Sequence, residues 1–488
     1  MDIIINIRSM IAIIGYLIAT FGVLMFIPAT IDFIGDEYGA KSFFMIGLIC
    51  SFIGFSFAFA NKSHINKDIS IKQGIFLTSI AWIVLCFVGS LPYVFSDLNF
   101  SFTDGFFEVM SGFSTTGASI IPDVSVLSTG FHFWRLLMGW FGGVGIVLIS
   151  VIFIPTLQSM GMILFKIVGM ETFGHSLSKA RQTVIGIVIL YFVATIVFTI
   201  ILNIVGEISF FDSLIHIMSS ISTTGFSNKN ESVMYFASYK VEWIICFVMF
   251  LAGSPYILMY YAVFLRKFNL LIKDQQFLGY FYFIVIISVI LSAYLFLYNG
   301  FSILDSLTKA TFSTLSMLTG TGMANIDYTK INPFMTMVLF FTMMVGGCAG
   351  SAAGGLKIYR LQVFFKIAKI SIKKIFLTNR VIVPYYNGRP VSSDSAMAIL
   401  SYIILFFVTL VVFSCVLSAV GLDFITAISS AVACLSGVGP GIGGIVGPVG
   451  NYSLLPDSAK WVLSIAMFMG RIELFGVFIL FYREFWNE

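Results

Sequence analysis

Apolar residues run along this chain in blocks of about twenty, separated by short polar stretches, and the blocks themselves carry little charge. The longest fall at roughly residues 9–28, 41–60, 75–95, 132–156, 183–206, 242–265, 277–299, 332–372, 396–420 and 460–481. A helix of about 20 apolar residues crosses a bilayer core, so the pattern predicts about ten crossings, the eighth of them interrupted. Shorter apolar pieces lie near 104–116, 212–224, 307–321 and 425–438. They are too short to cross and fit segments that enter the membrane and return.

Each short piece ends in a strip that closes on glycine. The strips are Phe113-Ser114-Thr115-Thr116-Gly117, Ile221-Ser222-Thr223-Thr224-Gly225, Leu318-Thr319-Gly320-Thr321-Gly322 and Leu435-Ser436-Gly437-Val438-Gly439. Six residues before each terminal glycine stand Ser111, Ser219, Ser316 and Ala433; thirteen before stand Asp104, Asp212, Lys309 and Thr426. Asp and Thr favour helix N-caps, so this offset predicts the start of a short helix. Lys309 is misplaced at a helix N-terminus, and Asp305, one turn earlier, predicts an earlier start for the third. Trp134, Trp243 and Trp461 open the spans that follow in units one, two and four, with Phe334 in unit three, and predict an interfacial belt. A single T-T-G is common in loops and carries nothing. Four copies in one hydropathy context define an internal repeat.

The fold class that follows is an all-α integral membrane protein with four M1–pore-helix–M2 repeats around one central pore. Two extra N-terminal transmembrane helices precede them. The boundaries fall at 1–70 for the N-terminal pair, then 71–160, 161–270, 271–385 and 386–488 for the repeats, the third holding a broken M2 with a glycine-rich loop.

Composition agrees: 59% of the 488 residues are hydrophobic and 10% charged, and mean hydropathy is +1.01. Soluble chains carry about 25% charged residues, so a lipid-embedded protein is the reading. A net charge of +4, with no basic block interleaved with aromatics, points away from nucleic acid. Cys50, Cys86, Cys246, Cys348, Cys415 and Cys434 form no C-x-x-C pair and read as small buried hydrophobes. His64, His132, His175 and His216 are scattered, and no nucleotide-binding or zinc-protease motif occurs. The first block, after Arg8, is long for a signal-peptide core and lacks an A-x-A-like site, so it predicts a retained helix.

Basic residues set the orientation. Lys62, Lys67 and Lys72 follow span two; Lys166, Lys179 and Arg181 span four; Arg266, Lys267 and Lys273 span six. Lys357, Arg360, Lys366, Lys369, Lys373, Lys374, Arg380 and Arg389 follow the glycine break of span eight. The alternate loops hold only Lys41, Lys229, Lys240, Lys330 and Lys460. The positive-inside rule then puts both termini in the cytoplasm. The bookkeeping works only if the four short pieces do not cross.

The strips offer neutral oxygens. A dehydrated cation needs several, and potassium channels take them from the carbonyls of glycine-containing strips. Serine and threonine add hydroxyls without charge, and no Asp or Glu lies in any strip, which points to a monovalent cation, with the glycine content leaning to K⁺. The predicted K⁺ ligands are Thr115, Thr116, Thr223, Thr224, Gly320, Thr321, Gly437 and Val438. The second glycines, Gly320 and Gly437, predict two looser strips.

Span eight contains Gly346-Gly347-Cys348-Ala349-Gly350-Ser351-Ala352-Ala353-Gly354-Gly355, which cannot be a stable helix interior at about 1 kcal/mol per glycine. It is either a close helix contact through small residues or a mobile loop below the strips. Lys357, at its end, anchors it or is one more positive-inside residue. Arg471 lies mid-span, where an unpaired charge is expensive; Glu473, two residues on, faces elsewhere on a helix, so another partner or water is required. Arg135, at a span's outer end, predicts snorkelling. Glu108 and His216 share one offset in the first two short helices and predict hydrogen bonds within the scaffold.

Five stretches carry a resemblance: F-F-E-V-M-S-G-F-S-T-T-G-A-S (106–119), W-R-L-L-M-G-W-F-G-G-V-G (134–145), G-G-C-A-G-S-A-A-G-G-L-K (346–357), L-S-G-V-G-P-G-I-G (435–443) and G-R-I-E (470–473). On these the chain resembles the TrkH/KtrB/HKT superfamily of potassium transporters, and its TrkH branch most, the N-terminal pair included. The resemblance implies a channel-like potassium-uptake pore in the bacterial inner membrane, with K⁺ in the filter, no organic cofactor and no enzymatic activity. It implies that glycine at all four filter positions goes with potassium, whereas serine in the first goes with sodium in some plant members. It further implies that the glycine loop is the gate, that Arg471 projects to the pore below the filter, that the chain forms a homodimer, and that cytosolic TrkA-like nucleotide-binding subunits act on the gate. The basic segment around 357–394 would meet those subunits or membrane lipid. The alternative is a secondary transporter coupling K⁺ to H⁺ or Na⁺.

Overall fold

The computed structural model describes residues 7–64, 71–152, 177–377 and 382–487. Lys67, Lys166, Arg380 and the junctions at 70/71 and 160/161 lie outside, or at the edge of, the described residues. Helix α1 (Ile7–Leu24) runs on into α2 (Phe26–Ile34), and α1 packs along α3 (Gly39–Ala60). Small residues permit the contact: a Cβ on Gly54 would lie 2.3 Å from the Ala19 amide, and one on Gly22 2.5 Å from that of Ser51. Backbones this close give membrane helices the van der Waals contact that lipid cannot supply.

Four units follow in the same element order. The first is α4 (Ile71–Val94), α5 (Phe102–Phe113) and α6 (Thr129–Ile152). The second is α7 (Leu177–Gly206), α8 (Phe210–Ile221), and α9 (Tyr239–Ala252) with α10 (Tyr256–Leu265). The third is α11 (Gln275–Asn299), α12 (Ile303–Thr319), and α13 (Pro333–Val345) with α14 (Ile358–Phe376). The fourth is α15 (Ser393–Ala419), α16 (Phe424–Ser436), and α17 (Asp457–Arg471) with α18 (Leu474–Phe478). A short hairpin, Tyr385–Tyr386 on Arg389–Pro390, joins the third unit to the fourth.

Among the described residues, seven helices are long and apolar enough to cross a membrane, and two further spans are bent pairs, at 99° for α9–α10 and 110° for α17–α18. The predicted straight spans 242–265 and 460–481 are therefore corrected. Pro255 lacks an N–H and turns its predecessor away from helix. In the fourth unit Glu473 sits at φ +66° and carries the chain around the corner.

The short helices start earlier than Asp104, Asp212 and Thr426 predict. The N-caps are Ser101, Ser209, Ser302 and Asp423, whose side chains accept from the amides of Asp104, Asp212, Asp305 and Thr426. The first three resemble capping boxes, a serine cap with an acid three residues on, whereas the fourth has the acid as the cap and Thr426 third; Ser101 Oγ also donates to Asp104 Oδ2 at 2.8 Å. The third helix is longer and holds Lys309 in its interior.

Of the three tryptophans expected in a belt, Trp134 is buried inside unit one, whereas Trp243 and Trp461 stay 39% and 37% exposed and bond across to the next unit. Trp134 is 0% exposed and donates to the Gly89 carbonyl at 3.0 Å. Trp243 reaches Thr308 on α12, and Trp461 reaches Thr103 on α5, both at 3.2 Å. Lys460 adds an ion pair to Asp104 at 2.6 Å, closing unit four onto unit one. The N-terminal pair is tied on by charge: Glu37 accepts from the Thr129 amide and Asp32 from that of Gly130, so two carboxylates satisfy the first turn of α6. The cysteines are buried as expected except Cys415, which is exposed on α15 beside the exposed Val411 and Val412.

Candidate functional site

The strips are held by the helices that lead into them. Thr116, Thr224, Thr321 and Val438 donate their amides to the carbonyls of Ser111, Ser219, Ser316 and Ala433 at 2.8–2.9 Å. The residue six before each glycine therefore contributes its carbonyl, not its side chain, which is why alanine serves beside three serines. The terminal glycines lie at φ +79°, +84°, +73° and +89°. Two residues earlier, Thr115, Thr223, Gly320 and Gly437 lie at φ +51°, +58°, +75° and +66°. All four strips thus have left-handed residues at the same two places, and the second glycines expected to loosen strips three and four stand at one of them. Their second glycines occupy a left-handed position that the first two strips hold with threonine, at a cost of about 1–2 kcal/mol each.

The strips meet in a ring. A Cβ on Gly117 would lie 1.9 Å from the Thr224 carbonyl, on Gly225 1.8 Å from that of Thr321, on Gly322 1.9 Å from that of Val438, and on Gly439 2.5 Å from that of Thr116. Each glycine thus abuts a carbonyl of the next strip, and the fourth returns to the first. All four glycines line one open cavity of about 110 Å³, the mouth of the ring.

The strip hydroxyls brace the ring from behind. Ser114 pairs with Thr116 at 2.8 Å, Ser222 with Thr224 at 2.7 Å, and Thr319 with Thr321 at 2.8 Å. Thr224 faces α6, where a Cβ on Gly139 would meet its Oγ1 at 2.3 Å, and Thr319 faces Gly253. These hydroxyls are thus engaged with one another within each of the three strips. The Thr115 hydroxyl is buried without a protein partner, and that of Thr223 donates to the Ala352 carbonyl at 3.0 Å.

That carbonyl belongs to the glycine run, which is an irregular loop between α13 and α14 with positive φ at Gly346, Gly350, Gly355 and Lys357. The loop lies along the bend of unit two: Cys348 donates to the Gly253 carbonyl, Ala352 to that of Ala252, and Tyr256 to that of Gly350. It touches the ring as well, since a Cβ on Gly354 would lie 2.0 Å from the Ser436 carbonyl. Within the loop Gly347 packs on Ala353, Ser351 Oγ donates to the Cys348 carbonyl at 2.6 Å, and Lys357 Nζ bonds the Ala353 carbonyl.

Arg471 is 8% exposed and gives Nη1 to the Ala352 carbonyl at 2.8 Å, while its Nε and Nη2 have no protein partner. Glu473 is not its partner; it pairs with Arg360 at 2.9 Å. The loop, the second strip and the fourth unit's bend thus converge on one oxygen.

Behind strips one and two lies a buried charge cluster. Arg135 does not snorkel: it is 3% exposed and pairs with Glu108 at 2.8 Å, with its guanidinium 4.2 Å from the centre of the Phe226 ring. Glu108 also accepts from the Ile120 amide at 2.9 Å and from Ser119 Oγ. His216, at the same offset in α8, bonds the Asp212 carbonyl and Ser227 Oγ. An unpaired acid in an apolar pore helix was the signal for a cation at its depth. Sequence reasoning also missed Tyr452, whose hydroxyl donates to the Gly439 carbonyl at 2.7 Å. Among the described residues no three His, Cys, Asp or Glu side chains gather as they would around a metal ion.

Comparison with known proteins places this architecture. The family model TrkH, a cation transport protein, matches residues 40–487. The chain is 32% identical over 414 residues to the Trk system potassium uptake protein TrkI of Halomonas elongata, covering 84% of this chain and 83% of that one. It is 28% identical over 485 residues to the Trk system potassium uptake protein TrkH of Escherichia coli, covering 99% of both. The crystal structure of the potassium transporter TrkH from Vibrio parahaemolyticus superposes with a TM-score of 0.90 at 27% identity, over 99% of this chain and 100% of that one.

Proposed function

The chain belongs to the TrkH family of cation transport proteins, which are ion transporters rather than enzymes, and we propose that it takes up potassium through a central pore whose filter is the ring of four strips. The observation that carries this reading is the closed cycle of glycines against carbonyls around one mouth. An ion entering there would exchange its water for the carbonyls of Thr115, Thr116, Thr223, Thr224, Gly320, Thr321, Gly437 and Val438. The C-terminal ends of the four pore helices lead into the strips, so their dipoles favour a cation at the ring.

Below the ring, the loop Gly346–Lys357 is the gate, and Arg471 opposes a cation that passes the filter. The pore sits in the bacterial cytoplasmic membrane with both termini inside, in keeping with the distribution of basic residues. The relatives are named as parts of a Trk system, which supports TrkA-like nucleotide-binding subunits as cytosolic partners of a homodimer in the lipid. The five chain segments set out above, one N-terminal pair and four pore repeats, are its working parts.

Coupled transport with H⁺ or Na⁺ has one observation in its favour. Glu242 is a buried acid at the start of α9 that accepts from Asn325 at 2.6 Å and forms no ion pair among the described residues. Flux of K⁺, Rb⁺ and Na⁺ into liposomes holding the purified protein tests both readings. Uptake that follows the K⁺ gradient alone, with a K⁺ preference that Gly117→Ser lowers, is the expected result. A dependence on pH or Na⁺ would favour coupling, and an ion preference untouched by Gly117→Ser would overturn the filter.

A further inference from the structure

Behind the ring, the fourth strip differs from the other three. Strips one to three each hold a pair of hydroxyls, two residues apart, bonded to one another. Strip four has Val438 in the second of those places, and the hydroxyl of Ser436 in the first is buried without a partner. The strip nonetheless follows the same backbone path as the others. Its amide bond to the Ala433 carbonyl matches those of the other strips, so what it lacks is only the second hold that their hydroxyl pairs give.

The contacts at its outer end supply a holder. Tyr452 is 2% exposed, its ring packs on Phe107 with centroids 5.5 Å apart, and its hydroxyl donates to the Gly439 carbonyl at 2.7 Å. Its own amide donates to the Ser119 carbonyl of unit one at 2.8 Å. Ser119 is in turn held by Glu108 and Arg135. The phenol is thus fixed at its backbone by the first unit's charge cluster and reaches across to the fourth strip.

We propose that Tyr452 is the positioning residue of the fourth strip: its hydroxyl replaces the missing hydroxyl pair and thereby sets the ion preference of the pore. The inference rests on the filter reading above. A filter discriminates between K⁺ and Na⁺ through the number, field and spacing of its carbonyls. In strips one to three the spacing is kept by a bond internal to the strip. In strip four it is kept by a bond from a loop, so removing one hydroxyl at residue 452 should free the Gly439 carbonyl while leaving the ring's other three sides braced.

The test is Tyr452→Phe, alone and with Val438→Thr, which puts a hydroxyl two residues from Ser436. Flux of K⁺ and Na⁺ into liposomes is compared with wild type and with Gly117→Ser, and folding is followed by size-exclusion of the purified proteins. Tyr452→Phe should lower the K⁺/Na⁺ ratio roughly two- to tenfold, the worth of one net hydrogen bond, and Val438→Thr should restore it. If Tyr452→Phe yields no folded protein but the double variant does, the brace is equally supported. An unchanged ratio in Tyr452→Phe, with Gly117→Ser shifting it, would overturn this inference and leave the filter standing. Equal loss of both ions without rescue, or a double variant that also fails to fold, would overturn it in favour of a general packing role. If Gly117→Ser is silent as well, the filter reading itself has failed.

Discussion

Replacing Gly437 with threonine separates two accounts of the second glycine in strip four: a joint the ion needs loose, or relief of backbone strain. At this position φ is +66°, and a Cβ would meet nothing within 4 Å. Threonine already occupies the matching place in strips one and two, at φ +51° and +58°. Sterics therefore add no clash, and the cost is that of a left-handed residue with a Cβ, about 1–2 kcal/mol. Against it stands the chain freedom that glycine loses on folding, roughly 0.5–1 kcal/mol. The net destabilisation is about 1 kcal/mol or less by these terms.

Gly439→Ala is the contrasting change. There φ is +89°, and the new Cβ would sit 2.5 Å from the Thr116 carbonyl and 2.8 Å from the Gly117 carbonyl carbon. Neither is the end of a flexible side chain, so the ring itself must shift. In a liposome assay of K⁺ against Na⁺, Gly437→Thr should keep the wild-type ratio to within about twofold, under half a kilocalorie, whereas Gly439→Ala should lose it. If Gly437→Thr abolishes the ratio as Gly439→Ala does, one backbone path for all four strips is not what selects the ion, and the reasoning is refuted.

Thr223→Val keeps the side chain's shape and removes one of the two bonds to the Ala352 carbonyl; initial K⁺ flux should rise roughly two- to tenfold if that bond holds the loop closed. Arg471→Ala should raise conductance or admit Na⁺, and unaltered currents in single-channel recording would reduce the arginine to a packing role. Arg135→Ala leaves Glu108 buried without its cation, so thermal unfolding in detergent should show a loss of roughly 3–5 kcal/mol, recovered in large part by adding Glu108→Gln. Glu473→Gln leaves the guanidinium of Arg360, only 4% exposed, without its anion, although the new amide oxygen can still accept from it; thermal stability in detergent should drop along with the change in flux, and a variant of unchanged stability would contradict this.

What was legible in the sequence was local. The glycine strips, the helices before them and the glycine run are each defined by residues within about twenty positions of one another, and backbone needs such as a left-handed turn show directly as residue type. What was not legible was direction and partnership. Hydropathy counts apolar residues without saying which way they run, so the bends at 253–255 and 472–473 were hidden inside apolar blocks. Glu108 and Arg135 are 27 residues apart and meet only when unit one folds back on itself, and Asp104 and Lys460 are 356 apart and meet only when unit four closes onto unit one. The helix starts were misplaced by three residues because serine and aspartate are both capping residues. The box rule, serine first and acid third after it, distinguishes them.

The second glycines sit where strips one and two hold threonine in the same left-handed region, so relief of strain stands beside looseness as their meaning. Extra glycine in a strip suggests looseness only if the strip's conformation is open to it. Here the ring fixes the conformation first, through the amide bonds to Ser111, Ser219, Ser316 and Ala433, and residue type then decides only how comfortably each strip adopts it. The same logic ranks the loop's attachments. On the unit-two side it is held by neutral backbone bonds at Ala252, Gly253 and Tyr256, buried where no water can replace them, and an unmade bond of that kind costs about 1–3 kcal/mol. On the unit-four side it is held by Arg471 and, through α14, by the partly exposed Arg360–Glu473 pair. If the loop is the gate proposed above, these two sets of attachments are what it must release, and Thr223→Val and Glu473→Gln each weaken one of them.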